Sequence, residues 1–151
     1  MICHTRKHKI PFLIDEEDYD VVKKYTWGIS TYGYVYTKVN RTKTLFLHRM
    51  IMNAPSGMEV DHINRDTLNN HRDNLRICTR AQNQQNCKSR GGTSKYKGVC
   101  WENRRNTWRT TIKFNGKQIH IGEFMDEIEA AKAYNGKAIE FFGEFARLNP
   151  V

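Results

Sequence analysis

A polar, glycine-containing stretch near the middle of the chain constrains the fold most. Residues 88–94, Lys-Ser-Arg-Gly-Gly-Thr-Ser, follow Cys87 without hydrophobic periodicity, as is typical of a linker. Only 38% of the 151 residues are hydrophobic, which is little apolar material for one large core. We therefore expect an α+β protein of two small units, residues 1–87 and 95–151, joined by residues 88–94.

Charge and cysteine usage narrow the classes of function. The chain has 25 Lys and Arg against 16 Asp and Glu, a formal net charge of +9 that suits a polyanionic partner such as DNA. Its four cysteines match neither a zinc knuckle nor a secreted disulfide framework, which indicates reduced thiols. Because no apolar run approaches the ~20 residues of a membrane span, and no secretion signal is visible, we expect a cytoplasmic protein without a membrane partner.

The first unit is predicted to begin with a small β platform. Residues 10–47 are rich in Val, Tyr, Thr, Phe and Ile, which favours short strands, with an acidic turn at residues 15–20. Within this region, the alternation in residues 32–39, the polar residues 40–43 and the apolar stretch at residues 44–47 predict a hairpin.

A strand, a long polar loop, a second strand and a helix are predicted after the platform. The two strands and the loop are residues 58–62, 74–78 and 63–73. Thr79 and Gln82 have the spacing of a capping box, so the helix should begin at Arg80. A strand-loop-strand hairpin with a helix packed across it would bring Asp61, His62, Asn74 and Asn83 together.

Those four side chains suit metal-assisted hydrolysis. Cleaving a phosphodiester needs a base to deprotonate water and a cation to stabilise charge on the phosphate. His62, with an unperturbed pKa near ~6.5, can be that base near neutrality. Oxygen ligands from Asp61 and Asn83 suit Mg²⁺, and Asn86, one helical turn further on, is an alternative ligand.

Residues 45–87 resemble the HNH endonucleases of phage and intron origin, which have a ββα-metal site. The resemblance is carried by five short motifs: Leu47-His-Arg49, Val60-Asp-His-Ile-Asn64, Asn69-Asn70, Asn74-Leu-Arg76 and Thr79-Arg-Ala-Gln-Asn83. It implies that His62 is the general base, that Asn74 orients it, and that Asp61 and Asn83 bind one Mg²⁺ or Mn²⁺ ion per site. Asn83 stands where the better-known pattern has a histidine.

The resemblance also implies a homing-type enzyme, of phage origin and acting in an infected bacterial cell, whose products carry 5′-phosphate and 3′-hydroxyl ends. One active site per chain predicts nicking, unless the chain dimerises or acts twice. The spacing leaves the roles of His48, Arg49 and His71 open. His48 and Arg49 could clamp a phosphate or hold the scaffold, whereas His71 is expected to face solvent or a phosphate.

The second unit is predicted to be a three-stranded antiparallel sheet packed on one helix. The strands are residues 96–101, 107–114 and 117–121, with Asn115-Gly116 as a type I′ turn. Asp126 should cap the helix, and five apolar residues recur at helical spacing. These are Ile128, Ala131, Tyr134, Ala138 and Phe142.

The open face of this sheet is predicted to be basic. Residues 93–122 hold seven Lys or Arg and one Glu, whereas residues 123–151 hold three basic and six acidic residues. Side chains alternate along a strand, so Trp108 and Ile112 are predicted to face the helix. Arg109 and Lys113 are then predicted to face outward. The major groove admits strands, so this face could read bases there.

Residues 94–149 resemble the AP2 domain, known from plant transcription factors and from phage HNH enzymes. The motifs are Ser94-Lys-Tyr-Lys-Gly-Val99, Trp108-Arg109, His120-Ile-Gly-Glu-Phe124, Glu129-Ala-Ala-Lys-Ala-Tyr134 and Leu148-Asn149. The resemblance implies contacts with double-stranded DNA from Cys100, Glu102, Arg104, Arg105, Arg109, Thr111, Lys113, Gln118 and His120. Plant members have arginines at the positions of Cys100 and Glu102, so the resemblance does not carry over their target sequence.

Two other functions fit parts of the pattern. A non-catalytic, sequence-specific DNA-binding regulator would keep the second unit and carry the first as a relic, against which the intact Asp61, His62 and Asn83 argue. An RNA-binding protein would need aromatic residues on the open sheet face, whereas Trp101 and Trp108 point inward by parity.

Overall fold

The computed structural model describes residues 1–87 and 91–151, which form two compact units, Met1–Asn83 and Gln84–Val151. The first three residues of the predicted linker lie outside the described residues. Small antiparallel sheets and a few helices make up both units. In the described part of the chain, no helix is both long and apolar enough to cross a membrane.

The first unit begins with five short strands. Strands β1 (Ile2–His4) and β2 (Pro11–Leu13) pair with each other, and β3 (Gly28–Ile29), β4 (Val35–Lys38) and β5 (Thr44–Phe46) form a second sheet in that order. The predicted hairpin is confirmed as β4 and β5. The predicted acidic turn contains a 3-10 helix, Glu16–Asp18, and a short helix α1 (Tyr19–Val22).

A short helix that periodicity did not predict follows β5. Helix α2 (Leu47–Ile51) begins at Leu47, which the sequence analysis placed in the hairpin. Leu47 and Ile51 lie four residues apart on one face, and both are buried in the core of this unit with Phe12, Ile14 and Val35. Burial of Leu47 and Ile51 in the core therefore favours a helix here, although the residues before Leu47 have the pattern of a strand.

The predicted strand, loop, strand and helix are all present in the second half of the unit. Strand β6 (Glu59–His62) pairs antiparallel with β7 (Leu75–Cys78), a 3-10 helix (Arg72–Asn74) leads into β7, and α3 (Arg80–Gln85) follows. The capping box at the start of α3 is confirmed. The backbone N–H of Gln82 donates to Oγ1 of Thr79 at 3.2 Å, and the side-chain Oε1 of Gln82 accepts from the backbone N–H of Thr79 at 2.8 Å.

The second unit is a three-stranded antiparallel sheet with one long helix. Strands β8 (Val99–Glu102), β9 (Thr107–Phe114) and β10 (Lys117–Phe124) are ordered β10-β9-β8, and α4 (Glu127–Phe142) follows. Asn115 and Gly116 both have positive φ, 49° and 79°, as the predicted type I′ turn requires. The side chain of Asp126 accepts a hydrogen bond from the Glu129 amide and caps α4, as predicted.

The helix packs on the sheet through small side chains. Ala130, Ala131, Tyr134 and Ala138 of α4 are buried. Gly98 has a φ of +78°, and a Cβ there would lie 2.2 Å from the Tyr134 ring, so only glycine permits this approach. The prediction that Ile128 lies on the buried face is wrong, because it is 45% exposed and Ala130 is buried instead.

Candidate functional site

The antiparallel pair β6 and β7 positions Asp61, the predicted metal ligand, and His62, the predicted general base. Asp61 pairs with Arg76 across the sheet, and His62 pairs with Leu75. Because successive side chains of a strand point to opposite faces, Asp61 and His62 face different surroundings although they are neighbours. Both side chains are buried, with exposed fractions of 6% and 4% for the two residues.

His62 lies against aromatic rings and one amide. Its ring centroid is 5.2 Å from that of His48 and 5.9 Å from that of Tyr34, and its Nε2 is 3.3 Å from Oδ1 of Asn70. Burial lowers the pKa of His62 from its usual value, while the Asn70 contact and the charge of Asp61 act in the opposite direction. The imidazole is therefore neutral near pH 7, the state in which it can accept a proton.

Asn74, the predicted orienting residue, lies at the end of the loop. Its Oδ1 accepts from the Asn64 amide at 3.0 Å, its Nδ2 donates to the Asn69 carbonyl at 2.8 Å, and its own carbonyl accepts from the Ile63 amide. These three bonds close the loop that follows His62. The side-chain amide that lies within hydrogen-bond distance of the imidazole is that of Asn70, whose Oδ1 can accept from Nε2 of His62.

Asp61 forms an ion pair that spacing alone did not predict. Nη2 of Arg76 is 2.7 Å and Nε is 3.0 Å from Oδ2 of Asp61, and the two side chains are only 12% and 7% exposed. The guanidinium compensates the buried carboxylate charge. A divalent cation bound by Asp61 would thus share that carboxylate with Arg76 or displace it.

Asn83 lies on α3 and contacts the same strand. Its Nδ2 donates to Oε2 of Glu59 at 2.6 Å. Glu59 stands two residues before Asp61 and so faces the same side of β6. Since an amide presents its nitrogen and oxygen in opposite directions, the bond to Glu59 directs the amide oxygen of Asn83 away from that carboxylate.

The donor atoms on this side of β6 fit the predicted metal ion chemically. They are carboxylate and amide oxygens, which hard cations such as Mg²⁺ and Mn²⁺ prefer. Among residues 1–87 and 91–151, no group of three or more His, Cys, Asp or Glu side chains is arranged to hold a metal. Mg²⁺ keeps several waters and takes few protein ligands, which matches the two oxygen donors of Asp61 and Asn83. Asn86, the alternative ligand, is buried just beyond α3.

The acidic turn of the platform anchors the loop that follows His62. Asp15 accepts from Nδ1 of His71 and from the Arg72 amide, both at 2.8 Å, and these bonds lower the pKa of its carboxyl. Asp18 pairs with the Arg72 guanidinium at 2.6 Å. His71, whose role the sequence left open, thus holds the loop against the platform.

His48 and Arg49 of α2 are also scaffold residues. His48 is buried, its ring stacks on Phe46, and burial lowers its pKa to about 3, so it is neutral near pH 7. Within the described residues, its buried Nδ1 has no hydrogen-bond partner. Arg49 donates to the carbonyls of Met58 and Pro55 and holds the turn that leads into β6.

The second unit has a polar sheet face opposite α4. Cross-strand pairing places Cys100 beside Arg109, Thr111 beside His120, and Lys113 beside Gln118. Nη1 of Arg109 lies 3.7 Å from Oε2 of Glu102, and Gln118 donates to Oγ1 of Thr111. Seven of the nine residues predicted to contact DNA thus share this face: Cys100, Glu102, Arg109, Thr111, Lys113, Gln118 and His120.

The other two, Arg104 and Arg105, lie in the turn between β8 and β9 and are exposed. A bulge after His120 shifts the register, so that Gly122 pairs with Thr110 and Glu123 with Arg109. Glu123 thereby joins the polar face and pairs with Arg105. The sequence analysis missed Glu123. Phe124 was the signal in the sequence that could have predicted the bulge. Strict alternation would have exposed this aromatic side chain, whereas in the structure it packs against the core.

A strand hairpin with a buried neutral histidine, an adjacent carboxylate and an asparagine-bearing helix defines a site suited to phosphodiester hydrolysis. The family model described as HNH endonuclease matches residues 53–85, which span this hairpin. An uncharacterized HNH endonuclease of Acanthamoeba polyphaga mimivirus is 33% identical over 139 residues, which is 89% of this chain and 72% of the relative. The chain belongs to the HNH endonuclease family.

Other relatives match parts of the chain. Protein 3.8 of Escherichia phage T7 is 36% identical over 94 residues, covering 62% of this chain and 77% of that protein. The APETALA2-like protein 2 of rice, Oryza sativa subsp. indica, is 38% identical over 60 residues, 40% of this chain but 14% of the relative. No solved structure matches the chain. Membership of the HNH family indicates a nuclease with DNA as substrate, and nucleases of this family generally use divalent metal ions.

Proposed function

We propose that the chain is a Mg²⁺- or Mn²⁺-dependent DNA endonuclease of the homing type. In this proposal the ββα-metal unit cuts and the AP2-like sheet selects the site. The observation that carries it is the end of β6, where a buried neutral His62 and a buried Asp61 stand side by side on opposite faces. Such a pair supplies two groups that phosphodiester hydrolysis needs, a proton acceptor and a cation ligand.

The roles follow from the surroundings of each side chain. His62 removes a proton from the attacking water, because burial keeps its imidazole neutral. Asp61 and Asn83 hold the divalent ion by their oxygens. The bound ion stabilises negative charge on the phosphate and on the departing oxygen. Asn74 keeps the loop after His62 closed through its bonds to Asn64 and Asn69.

The second unit supplies affinity and choice of site. Exposed Lys113, Gln118 and His120 on the open face, with Arg104 and Arg105 at its edge, can reach phosphates and base edges of a duplex. In this arrangement residues 1–87 form the nuclease domain, residues 88–94 the linker, and residues 95–151 the DNA-binding domain. A single chain with one active site nicks one strand and leaves 5′-phosphate and 3′-hydroxyl ends.

A non-catalytic, DNA-binding regulator is the second candidate. The ion pair between Asp61 and Arg76 favours it, because a carboxylate engaged by a guanidinium at 2.7 Å is a weaker ligand for a cation. This candidate keeps the DNA-contacting sheet but predicts no metal-dependent chemistry.

Cleavage of a supercoiled plasmid library separates the two candidates. Wild-type protein with Mg²⁺ or Mn²⁺ should convert plasmids to open circles, and His62→Ala should not. His4→Ala is the matched control, because His4 is an exposed histidine of the same unit, and it should cut like the wild type. Tight duplex binding without cutting under either metal would instead support the regulator.

A further inference from the structure

Asn70 is a polar side chain with no exposed surface, in the loop between β6 and β7. A buried amide must find hydrogen-bond partners, because an unsatisfied polar group away from water destabilises the folded state. Nδ2 of Asn70 donates to the Thr67 carbonyl at 3.4 Å, and Oδ1 lies 3.3 Å from Nε2 of His62. Its backbone amide donates to the Leu13 carbonyl of β2 at 2.9 Å.

These contacts determine which end of the amide faces the histidine. The Thr67 carbonyl can only accept a hydrogen bond, so the Asn70 nitrogen must face it and the oxygen must face His62. The reverse orientation would bring two buried oxygens together without a proton between them. An amide oxygen in turn can only accept, so Nε2 of His62 carries the proton of the neutral ring. The lone pair of the ring is then on Nδ1.

We propose that Asn70 is the positioning residue that holds the His62 ring through Nε2 and fixes its tautomer with hydrogen on that nitrogen. This inference rests on the proposed function, in which His62 is the general base. It gives Asn70 the contact with the imidazole and leaves Asn74 the closure of the loop.

The β platform contributes to the base through the same residue. The backbone carbonyl of Leu13 in β2 accepts from the backbone N–H of Asn70, and the backbone N–H of Leu13 donates to the Leu68 carbonyl. These two bonds hold residues 68–70 of the loop against β2. Asp15, two residues further on, bonds to His71 and Arg72. The orientation of His62 therefore depends on a chain segment some 50 residues before it, at β2.

The tautomer can be observed directly by nitrogen NMR. The full-length protein, labelled with ¹⁵N-histidine, gives long-range ¹H–¹⁵N correlations whose pattern shows which ring nitrogen carries hydrogen. His62→Gln identifies the signals of this residue among the six histidines. We expect hydrogen on Nε2 in the wild type without DNA. Hydrogen on Nδ1 would overturn the proposal before any variant is made.

Substitutions at Asn70 test its effect on the tautomer and on cleavage together. Asn70→Leu removes the acceptor, and we expect a mixture of tautomers and a single-turnover cleavage rate lower by roughly 10- to 100-fold, as for outer partners of catalytic histidines. Asn70→Asp keeps an acceptor toward Nε2 and should keep the tautomer and restore most of the rate. Asn69→Ala is the matched control, because the Asn69 side chain bonds within the loop, to the His71 amide, and not to His62.

The outcomes separate this proposal from the proposed function. An unchanged tautomer in Asn70→Leu, or a rate equal to that of Asn69→Ala, would overturn the role of Asn70. If Asn70→Leu fails to fold, the wild-type spectrum and the Asn70→Asp rate still decide. A wild-type protein that cuts no DNA overturns the proposed function, and the tautomer, measured without DNA, shows independently whether the contact with Asn70 exists.

Discussion

The two units place their polar side chains in opposite ways. In the first unit Asp61, His62 and Asn70 are buried and bonded to other protein groups, whereas in the second Lys113 and Gln118 are exposed on the sheet. A reacting group gains from burial because the protein, and not water, then sets its charge and orientation. A group that contacts DNA must remain exposed to reach it. The difference predicts that changes in the first unit affect chemistry and stability, and changes in the second affect affinity.

The largest expected effect is on the cleavage rate. Asp61→Asn removes the charge of the proposed metal ligand and keeps its size, so the single-turnover cleavage rate should fall by roughly 10³-fold, since losing such a metal contact costs several kcal/mol. Asp61→Asn also leaves the buried Arg76 guanidinium without its charged partner, so urea denaturation is run beside the assay to show that the variant is folded. Duplex affinity, measured by fluorescence anisotropy without metal, should stay within about twofold, because in the proposed function the second unit supplies the phosphate and base contacts. Asp73→Asn, which changes an exposed carboxylate in the 3-10 helix before β7, is the control and should cut normally. Equal losses of affinity and rate would remove the distinction between the units.

The next effect is on stability and on its dependence on metal. Arg76→Met leaves the buried Asp61 carboxylate without this guanidinium, which should lower the free energy of unfolding by about 3 kcal/mol in EDTA. Added Mg²⁺ should restore part of the loss, because an ion that binds only the folded state stabilises it. Urea denaturation with and without Mg²⁺ measures both.

Arg105→Met in the second unit is the matched comparison for Arg76→Met. Its guanidinium is exposed and its pairing with Glu123 is screened by water, so neither stability nor metal response should change. A Mg²⁺ response of equal size in wild type, Arg76→Met and Asp61→Asn would contradict metal binding at Asp61.

A smaller effect concerns the pH dependence of stability in the first unit. Burial lowers the pKa of His48 to about 3, whereas the unfolded chain titrates near ~6.5. The unfolded state therefore binds the proton first, and stability falls as the pH drops from 6.5 toward 3. At pH 5 this residue accounts for a loss of about 2 kcal/mol, at ~1.4 kcal/mol per pH unit.

His48→Leu should reduce this loss, and His4→Ala, an exposed histidine, should not. Burial also lowers the pKa of His62, so part of the dependence of stability on pH should remain in His48→Leu. Urea denaturation at pH 7.5 and pH 5 measures the difference. An identical loss in His48→Leu and wild type would assign the acid sensitivity to other groups.

The smallest expected effect belongs to the second unit. Lys113→Ala removes one exposed charge from the sheet face, so duplex affinity should fall by about 1 kcal/mol on every sequence, and the slope of log affinity against log salt should decrease by about 1. The cleavage rate at saturating DNA should not change. Lys132→Ala, an exposed lysine of α4, is the control. A loss confined to certain sequences would show that Lys113 reads bases.

Much of the fold follows from signals between neighbouring residues. The capping box at Thr79, the turn at Asn115 and the cap of α4 at Asp126 form as the sequence predicts. Each depends on a few adjacent residues, whose backbone preferences act whatever the rest of the chain does. For the same reason, the sequence could predict that Asp61 and His62 lie at the end of a strand.

Tertiary structure decided which side chains meet around that pair. The Arg76 contact depends on the register of β6 and β7, and the Asn70 contact depends on a loop that β2 and the acidic turn hold in place. The bulge that turns Glu123 outward likewise depends on the packing of Phe124. Sequence alone determined the kinds of group and the local elements that carry them. Their partners came from contacts between distant segments, because register and burial are set only when the whole unit packs.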